Sequence, residues 1–222
     1  ALLDEYEGRT MVGEVGESQR AVQVMADYTA GSSRLHMAYS FDMLGPQFTA
    51  SHFRGKIEAF FKGAPDGWPA WAFSNHDVIR HVSRWAEHGQ QDDVAKLAAA
   101  MLLSFEGTIY LYQGEELGQT ETEIEFHELT DPPGITFWPE YKGRDGCRTP
   151  MVWDHTTHGG FTNGAPWLPV KPPQHARNVA AQQGVAGSVL ETYRHLLAFR
   201  REAAALRVGK TRFHDVPEPV LM

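Results

Sequence analysis

Trp68-Pro69-Ala70-Trp71-Ala72-Phe73-Ser74-Asn75-His76-Asp77 is an apolar run that turns polar over its last residues. Its length and aromatic content, and the Pro65-Asp66-Gly67 turn before it, fit a buried strand over Trp68 to Ser74. A near-continuous apolar strand ending in Asn, His and Asp is the pattern of a parallel sheet, whose functional groups gather where strands end and loops begin. The pattern recurs in both directions. Upstream, Thr10 to Gly16 and Leu35 to Phe41 read as strands that deliver Glu14 and Asp42. Downstream, Thr108 to Tyr112 reads as a strand closed by Gln113-Gly114-Glu115-Glu116.

Helical spacing fills the gaps between these strands. Ser18 to Tyr28 fits one or two turns stopped by Gly31, and Phe53 to Phe61 carries apolar residues at 53, 57, 60 and 61 with Gly63 at its stop. Val78 to Trp85 reads as a helix, and Asp92 or Asp93 fits the N-cap of another that ends at Gly107. Ser188 to Leu206 is the clearest helix, and Arg207 to Met222 begins a β-like segment. Gly118 to Gly184 is Pro-rich and almost without periodicity, which in a compact domain marks a functional loop or lid. The alternation makes the class α/β, and four such strands fit half of a (β/α)8 barrel. A doubly wound sheet fits the alternation nearly as well.

Composition removes several function classes. Lys+Arg 20 against Asp+Glu 28 leaves a net charge of −8, a field that repels nucleic acid and anionic lipid. The greasiest stretch, Val94 to Phe105, is 12 residues long and contains Lys96, so no membrane span is expected. One cysteine, Cys147, excludes an intrachain disulfide, and a passive thiol is expected there. The chain starts at Ala1 without Met or a signal pattern and reads as a piece of something longer. Its location is left open, with the cytoplasm slightly favoured.

The strand ends select Glu14, Asp42, Asn75, His76, Asp77 and Glu115 or Glu116. Carboxylates at the ends of two different strands are the minimum kit for glycoside hydrolysis. Asp77 also fits a helix N-cap before Val78, and Glu14 also fits a solvated loop residue. His76 fits either a donor to a sugar hydroxyl or a histidine satisfied at a strand end. Lys142, Arg144 and Arg148 lie in the long loop, where arginine would hold a polar ligand or simply face water. Asp154-His155-Thr156-Thr157-His158 lacks a third spaced ligand, so no metal and no cofactor is assigned. No Gly-rich phosphate loop is present.

Taken together, the motifs are specific. Phe73-Ser74-Asn75-His76-Asp77 resembles the strand-7 signature of the α-amylase superfamily, glycoside hydrolase family 13. Val12-Gly13-Glu14-Val15 is similar to its strand-5 signature in the α-glucosidase and oligo-1,6-glucosidase branch, and Ile109 to Gly118 is similar to its strand 8. Gly143-Arg144-Asp145-Gly146-Cys147-Arg148-Thr149-Pro150-Met151, then Trp153-Asp154 and Gly160-Phe161-Thr162, follow in the family's order.

The resemblance implies the C-terminal half (strands 5–8 and helices) of a (β/α)8 TIM barrel over residues 1–207, with the start of a C-terminal β-domain over 208–222. It implies a retaining α-glucosidase acting on small oligosaccharides or α-glucosides. Glu14 falls on the general acid/base and Asp77 on the carboxylate that stabilises the cation-like sugar. His76 and Arg144 fall on sugar-binding positions, and Phe41, more loosely, near the +1 sugar. The acid role asks for surroundings of Glu14 that are apolar or hold a second carboxylate. The family's nucleophile, an Asp two residues after an Arg on strand 4, has no counterpart before Glu14, so the 222-residue chain alone is expected to be inactive, with strands 5 and 8 as open edges. A transglycosylase or sucrose isomerase, and a non-catalytic relative, are the alternatives.

Overall fold

The computed structural model describes residues 2–17, 19–31, 34–65 and 67–222. Ser18 at the expected start of the first helix, and Asp66 of the expected turn, lie outside them. The chain divides into two compact units: Ala1–Ala72 with Leu102–Tyr110 and Arg200–Met222, and Phe73–Met101 with Leu111–Phe199.

Among the described residues the first unit holds four strands, β1 (Val12–Val15), β2 (Met37–Ser40), β3 (Ala70–Ala72) and β4 (Thr108–Tyr110). β1 pairs with β2 in parallel, placing Glu14 opposite Tyr39, and β3 pairs with β4 in parallel. An isolated parallel bridge from Ala38 to Pro69 links β2 to the segment entering β3. Among the described residues β1 has no strand partner besides β2, and β4 none besides β3. The strands are shorter than the apolar runs that predict them. Pro69 has no N–H to give, and Trp68 is instead held by its indole, which donates to Thr108 Oγ1 at 2.8 Å.

Helix α1 (Ala21–Thr29) is longer than the expected turn or two. The Glu17 carboxylate accepts the N–H groups of Gln19 and Arg20 just before it, which satisfies donors at the helix entry. Helix α2 (Ala50–Gly63) starts three residues before the expected Phe53 because Thr49 caps it, Oγ1 accepting from His52 N at 3.2 Å. Phe53, Ile57 and Phe60 lie one turn apart on its buried face. Phe53 packs 6.4 Å from the Phe105 ring, and Phe60 meets Trp71 edge to face at 5.7 Å. Arg200 donates to the carbonyls of Leu103, Phe105 and Gly107, fixing the turn into β4.

In the second unit, α3 is limited to His81–Trp85, three residues shorter at its start than the Val78 onset expected from spacing. Arg80 is extended and gives its N–H to Glu121 Oε2 at 3.0 Å, while His81 N–H goes to Ser74 Oγ at 2.8 Å. Helix α4 (Gln91–Ser104) carries Asp92 and Asp93 in its first turn, where they suit the helix dipole, rather than at the cap. Helix α5 (Val189–Glu202) stops before the expected Leu206; Ala203 is extended and a separate turn, Ala204–Val208, follows. Val82, Ala95, Ala99, Val189 and Tyr193 form the apolar cluster of this unit. The Pro-rich stretch from 118 to 184 is a succession of one-turn helices, among them Phe126–Glu128, Pro132–Thr136 and Asp145–Cys147.

The β-like expectation for Arg207 to Met222 is not met, since no strand forms there among the described residues. Arg207 and Val208 continue a helical turn, and Pro217 and Pro219 interrupt any ladder. Glu218 instead accepts the N–H groups of Ala50 and Ser51 at 3.1 and 2.6 Å, at the start of α2. No helix among the described residues is long and apolar enough to cross a membrane.

Phe53 is 1% exposed, so Phe53→Ala is expected to lower unfolding free energy by about 3–5 kcal/mol through lost burial and a residual cavity. Urea denaturation followed by tryptophan fluorescence checks this; a loss below about 1 kcal/mol would contradict the packing described.

Candidate functional site

Glu14 stands on β1 beside Val15, which points the other way and is 6% exposed, whereas Glu14 is exposed. Parallel register sets Glu14 next to Tyr39, and the Tyr39 hydroxyl donates to Glu14 Oε1. Tyr39 stacks on Tyr110 with ring centroids 5.7 Å apart and leans on Phe41 at 6.5 Å. Within this unit a phenol hydroxyl is a neighbour of the Glu14 carboxyl.

Phe41 lies outside β2, which ends one residue short of the expected strand end at Phe41. Ser40 ends β2, its Oγ accepting from Asp42 N at 3.4 Å and donating to Asp42 Oδ2 at 2.9 Å, which turns Phe41–Met43 into a 3-10 turn. Phe41 stays partly exposed beside Tyr39. Asp42 pairs with Lys56, an ordinary structural tie.

In the second unit the structure brings five of the expected residues together, Asn75, His76, Asp77, Arg144 and Arg148. Asn75 Oδ1 accepts the Asp77 N–H at 2.9 Å, forming a tight turn that fixes the Asp77 backbone. Asp77 caps no helix, because α3 starts at His81. Its Oδ1 accepts from Arg144 Nη1 at 3.0 Å and from Arg148 Nη2 at 2.9 Å, while Oδ2 accepts no hydrogen bond among the described residues. His76 Nε2 lies 3.6 Å from Asp77 Oδ1, and its side chain is 54% exposed. Arg148 Nε also donates to the His76 carbonyl at 2.7 Å. Arg144 and Arg148 thus do not simply face water.

Arg144 is itself held from behind. Asp131, 2% exposed, accepts from Arg144 Nε at 3.0 Å, Nη2 at 2.7 Å and the backbone N–H at 2.9 Å. These bonds hold the Asp131 carboxyl below its ordinary range and raise the Arg144 guanidinium. Asp145, also buried, accepts the N–H groups of Thr130 and Asp131 at 2.6 and 2.8 Å. Sequence reading missed Asp131 and Asp145, since nothing in a pattern shows which acid answers an arginine 13 residues away.

Arg80 ties three segments together, donating to the Gln113 carbonyl at 2.7 Å and the Cys147 carbonyl at 3.0 Å while lying over the Tyr112 ring. Burial pushes the Cys147 thiol up to about 12, in line with a passive cysteine. Burial also pushes Glu121 up to about 7, against the opposing pull of the Arg80 N–H. Among the histidines of the long loop, His155 Nδ1 pairs with the Asn178 amide at 3.1 Å. A cavity of about 380 Å³ is lined by Asp77, Glu121, Tyr141, Lys142 and Arg144, among others.

A family model described as the α-amylase catalytic domain matches residues 1–209. The chain belongs to the α-amylase catalytic-domain family. Its α/β architecture is that of this TIM-barrel family. Among relatives of the α-amylase family, a probable α-glucosidase of Rhizobium meliloti is 48% identical over 215 residues, 96% of this chain and 39% of that protein. An oligo-1,6-glucosidase of Halalkalibacterium halodurans is 30% identical over 227 residues, 88% of this chain and 40% of that protein. The crystal structure of an α-glucosyl transfer enzyme, XgtA, superposes with a TM-score of 0.94 at 48% identity, covering 100% of this chain and 41% of that one. The chain thus spans about two fifths of the length of the relatives it matches.

Two outcomes check these environments. Between its ordinary 4.5 and about 7, folded Glu121 keeps a proton that the unfolded chain has released, so its contribution to stability is full at low pH and lost as pH rises through 7. Glu121→Gln is therefore expected to gain stability relative to the parent as pH goes from about 5 to about 8, read as a widening gap in Tm; a constant gap would contradict the burial of this carboxyl. Cys147, with a thiol near 12, is expected to resist alkylation at neutral pH until the protein is unfolded, and labelling of the folded chain at the rate of a free thiol would count against its burial.

Proposed function

We propose that residues 1–207 are the C-terminal half, strands 5–8, of the (β/α)8 catalytic barrel of a retaining α-glucosidase, with 208–222 opening a β-domain. The substrate is a small oligosaccharide or α-glucoside. The observation that carries this is the state of Asp77, one of whose carboxylate oxygens is held by two arginines while the other takes no bond among the described residues. A carboxylate fixed in this way presents a lone-pair face to a sugar ring that gains positive charge. The family match and the glucosidase relatives support the same assignment.

In this proposal Glu14 donates its proton to the glycosidic oxygen as the bond breaks, then takes a proton from the incoming water. Tyr39, whose hydroxyl donates to Glu14, orients that carboxyl. Asp77 stabilises the cation-like sugar without attacking it. His76 and Arg144 hydrogen-bond the glucose, and Phe41 offers an apolar face to the neighbouring sugar. The attacking carboxylate belongs to the full-length protein and is assigned to none of these residues. Glucosyl transfer to a sugar hydroxyl instead of water is the second reading, favoured by the 48% identity to a structure described as a glucosyl transfer enzyme.

In the full-length protein, Glu14→Gln is expected to lower kcat/KM on an unactivated α-linked disaccharide by about 10²–10⁴-fold, with a smaller loss on an aryl glucoside whose leaving group needs no acid. Asp77→Asn is expected to lower both. Near-parent turnover of the disaccharide by Glu14→Gln would overturn the assignment, and chromatography of products with excess acceptor sugar separates hydrolysis from transfer.

A further inference from the structure

Four ionised groups meet around Asp77 in the second unit: the carboxylates of Asp77 and Asp131 and the guanidiniums of Arg144 and Arg148. Arg144 spans the two acids, giving Nη1 to Asp77 and Nε and Nη2 to Asp131. Arg148 lies 2.9 Å from Asp77 and 4.0 Å from Asp131. The cluster is balanced, two anions against two cations. The balance matters because the two arginines by themselves would outweigh the single charge of Asp77.

The Asp131 carboxylate serves the side chain and backbone N–H of Arg144 rather than a helix end. Asp131 precedes the one-turn helix Pro132–Thr136 at the N-cap position, where an Asp side chain ordinarily bonds a backbone N–H, yet its carboxylate makes no capping bond and turns wholly to Arg144. Its own backbone is tied down by buried Asp145, so the carboxylate is fixed in place rather than drawn there by a mobile arginine.

We propose that Asp131 is a positioning residue for the glycosidase reaction: it holds Arg144 in place and offsets the second arginine, so that the charge Asp77 turns to the cationic sugar is not outweighed. This rests on the role given to Asp77 above. With Asp131 neutral, the cluster carries one excess positive charge beside a ring that is itself becoming positive, and the two repel.

The test uses the full-length protein and two probes of one shape, 1-deoxynojirimycin, whose ring nitrogen is protonated, and glucose, which is neutral. Asp131→Asn keeps the shape and removes the charge, and it is expected to weaken the iminosugar about tenfold while leaving glucose within about twofold. Arg144→Gln shifts the cluster the other way and is expected to raise the preference for the iminosugar over glucose, even where both bind less well. If Asp131→Asn does not fold, the pair Asp131→Asn/Arg144→Gln restores balance and is expected to return the preference toward the parent value. A preference that stays constant, or moves in the same direction in both single variants, overturns the role of Asp131. A parent protein that binds neither probe overturns the glucosidase assignment itself.

Discussion

A carboxylate removed from water keeps its charge only where cations or N–H groups hold it. Asp131 meets that condition with three donors from Arg144 alone, and the rest of the site is built outward from this pair. The fork geometry of guanidinium lets Arg144 satisfy Asp131 through two nitrogens and still extend a third to Asp77. Arg148 closes the arrangement by grasping both the Asp77 side chain and the His76 carbonyl. Three stretches of chain, around 75–80, 131 and 144–148, are held in mutual register by charge-assisted bonds rather than by regular secondary structure.

That arrangement explains how a long Pro-rich stretch with little periodicity forms a defined surface. Asp145 satisfies the backbone at 130 and 131, and Arg80 satisfies the carbonyls of Gln113 and Cys147. Buried polar groups accept such partners because the alternative, an unpaired carbonyl or N–H, costs more. The first unit works by different means. There parallel pairing sets Glu14 and Tyr39 side by side, and stacking of Tyr39 on Tyr110 limits where its hydroxyl can point.

Much of the fold could be read from spacing. The apolar positions 53, 57 and 60 define α2, and the apolar runs around 12–15, 37–40, 70–72 and 108–110 define the strands. Boundaries were less legible, because side chains decide them: Thr49 extends α2, Ser40 ends β2 before Phe41, and the Arg80 and His81 N–H bonds delay α3. The same holds for the site. His76, Asp77 and Arg144 are found together, as the motifs imply, but Asp131 lies in an unremarkable Thr-Asp-Pro-Pro context that carries no signal of its partner. The expected helix cap at Asp77 was lost for the same reason, since propensity cannot anticipate two arginines arriving from 67 and 71 residues away.

Fixed charge beside a forming sugar cation, with a separate acid to release the leaving group, is chemistry that conserves the anomeric configuration when a covalent step intervenes. Proton NMR of the sugar first released from an α-glucoside by the full-length protein tests this most directly. The α-anomer is the result expected of a retaining α-glucosidase. Initial release of the β-anomer, or no cleavage of any α-glucoside, would contradict the account.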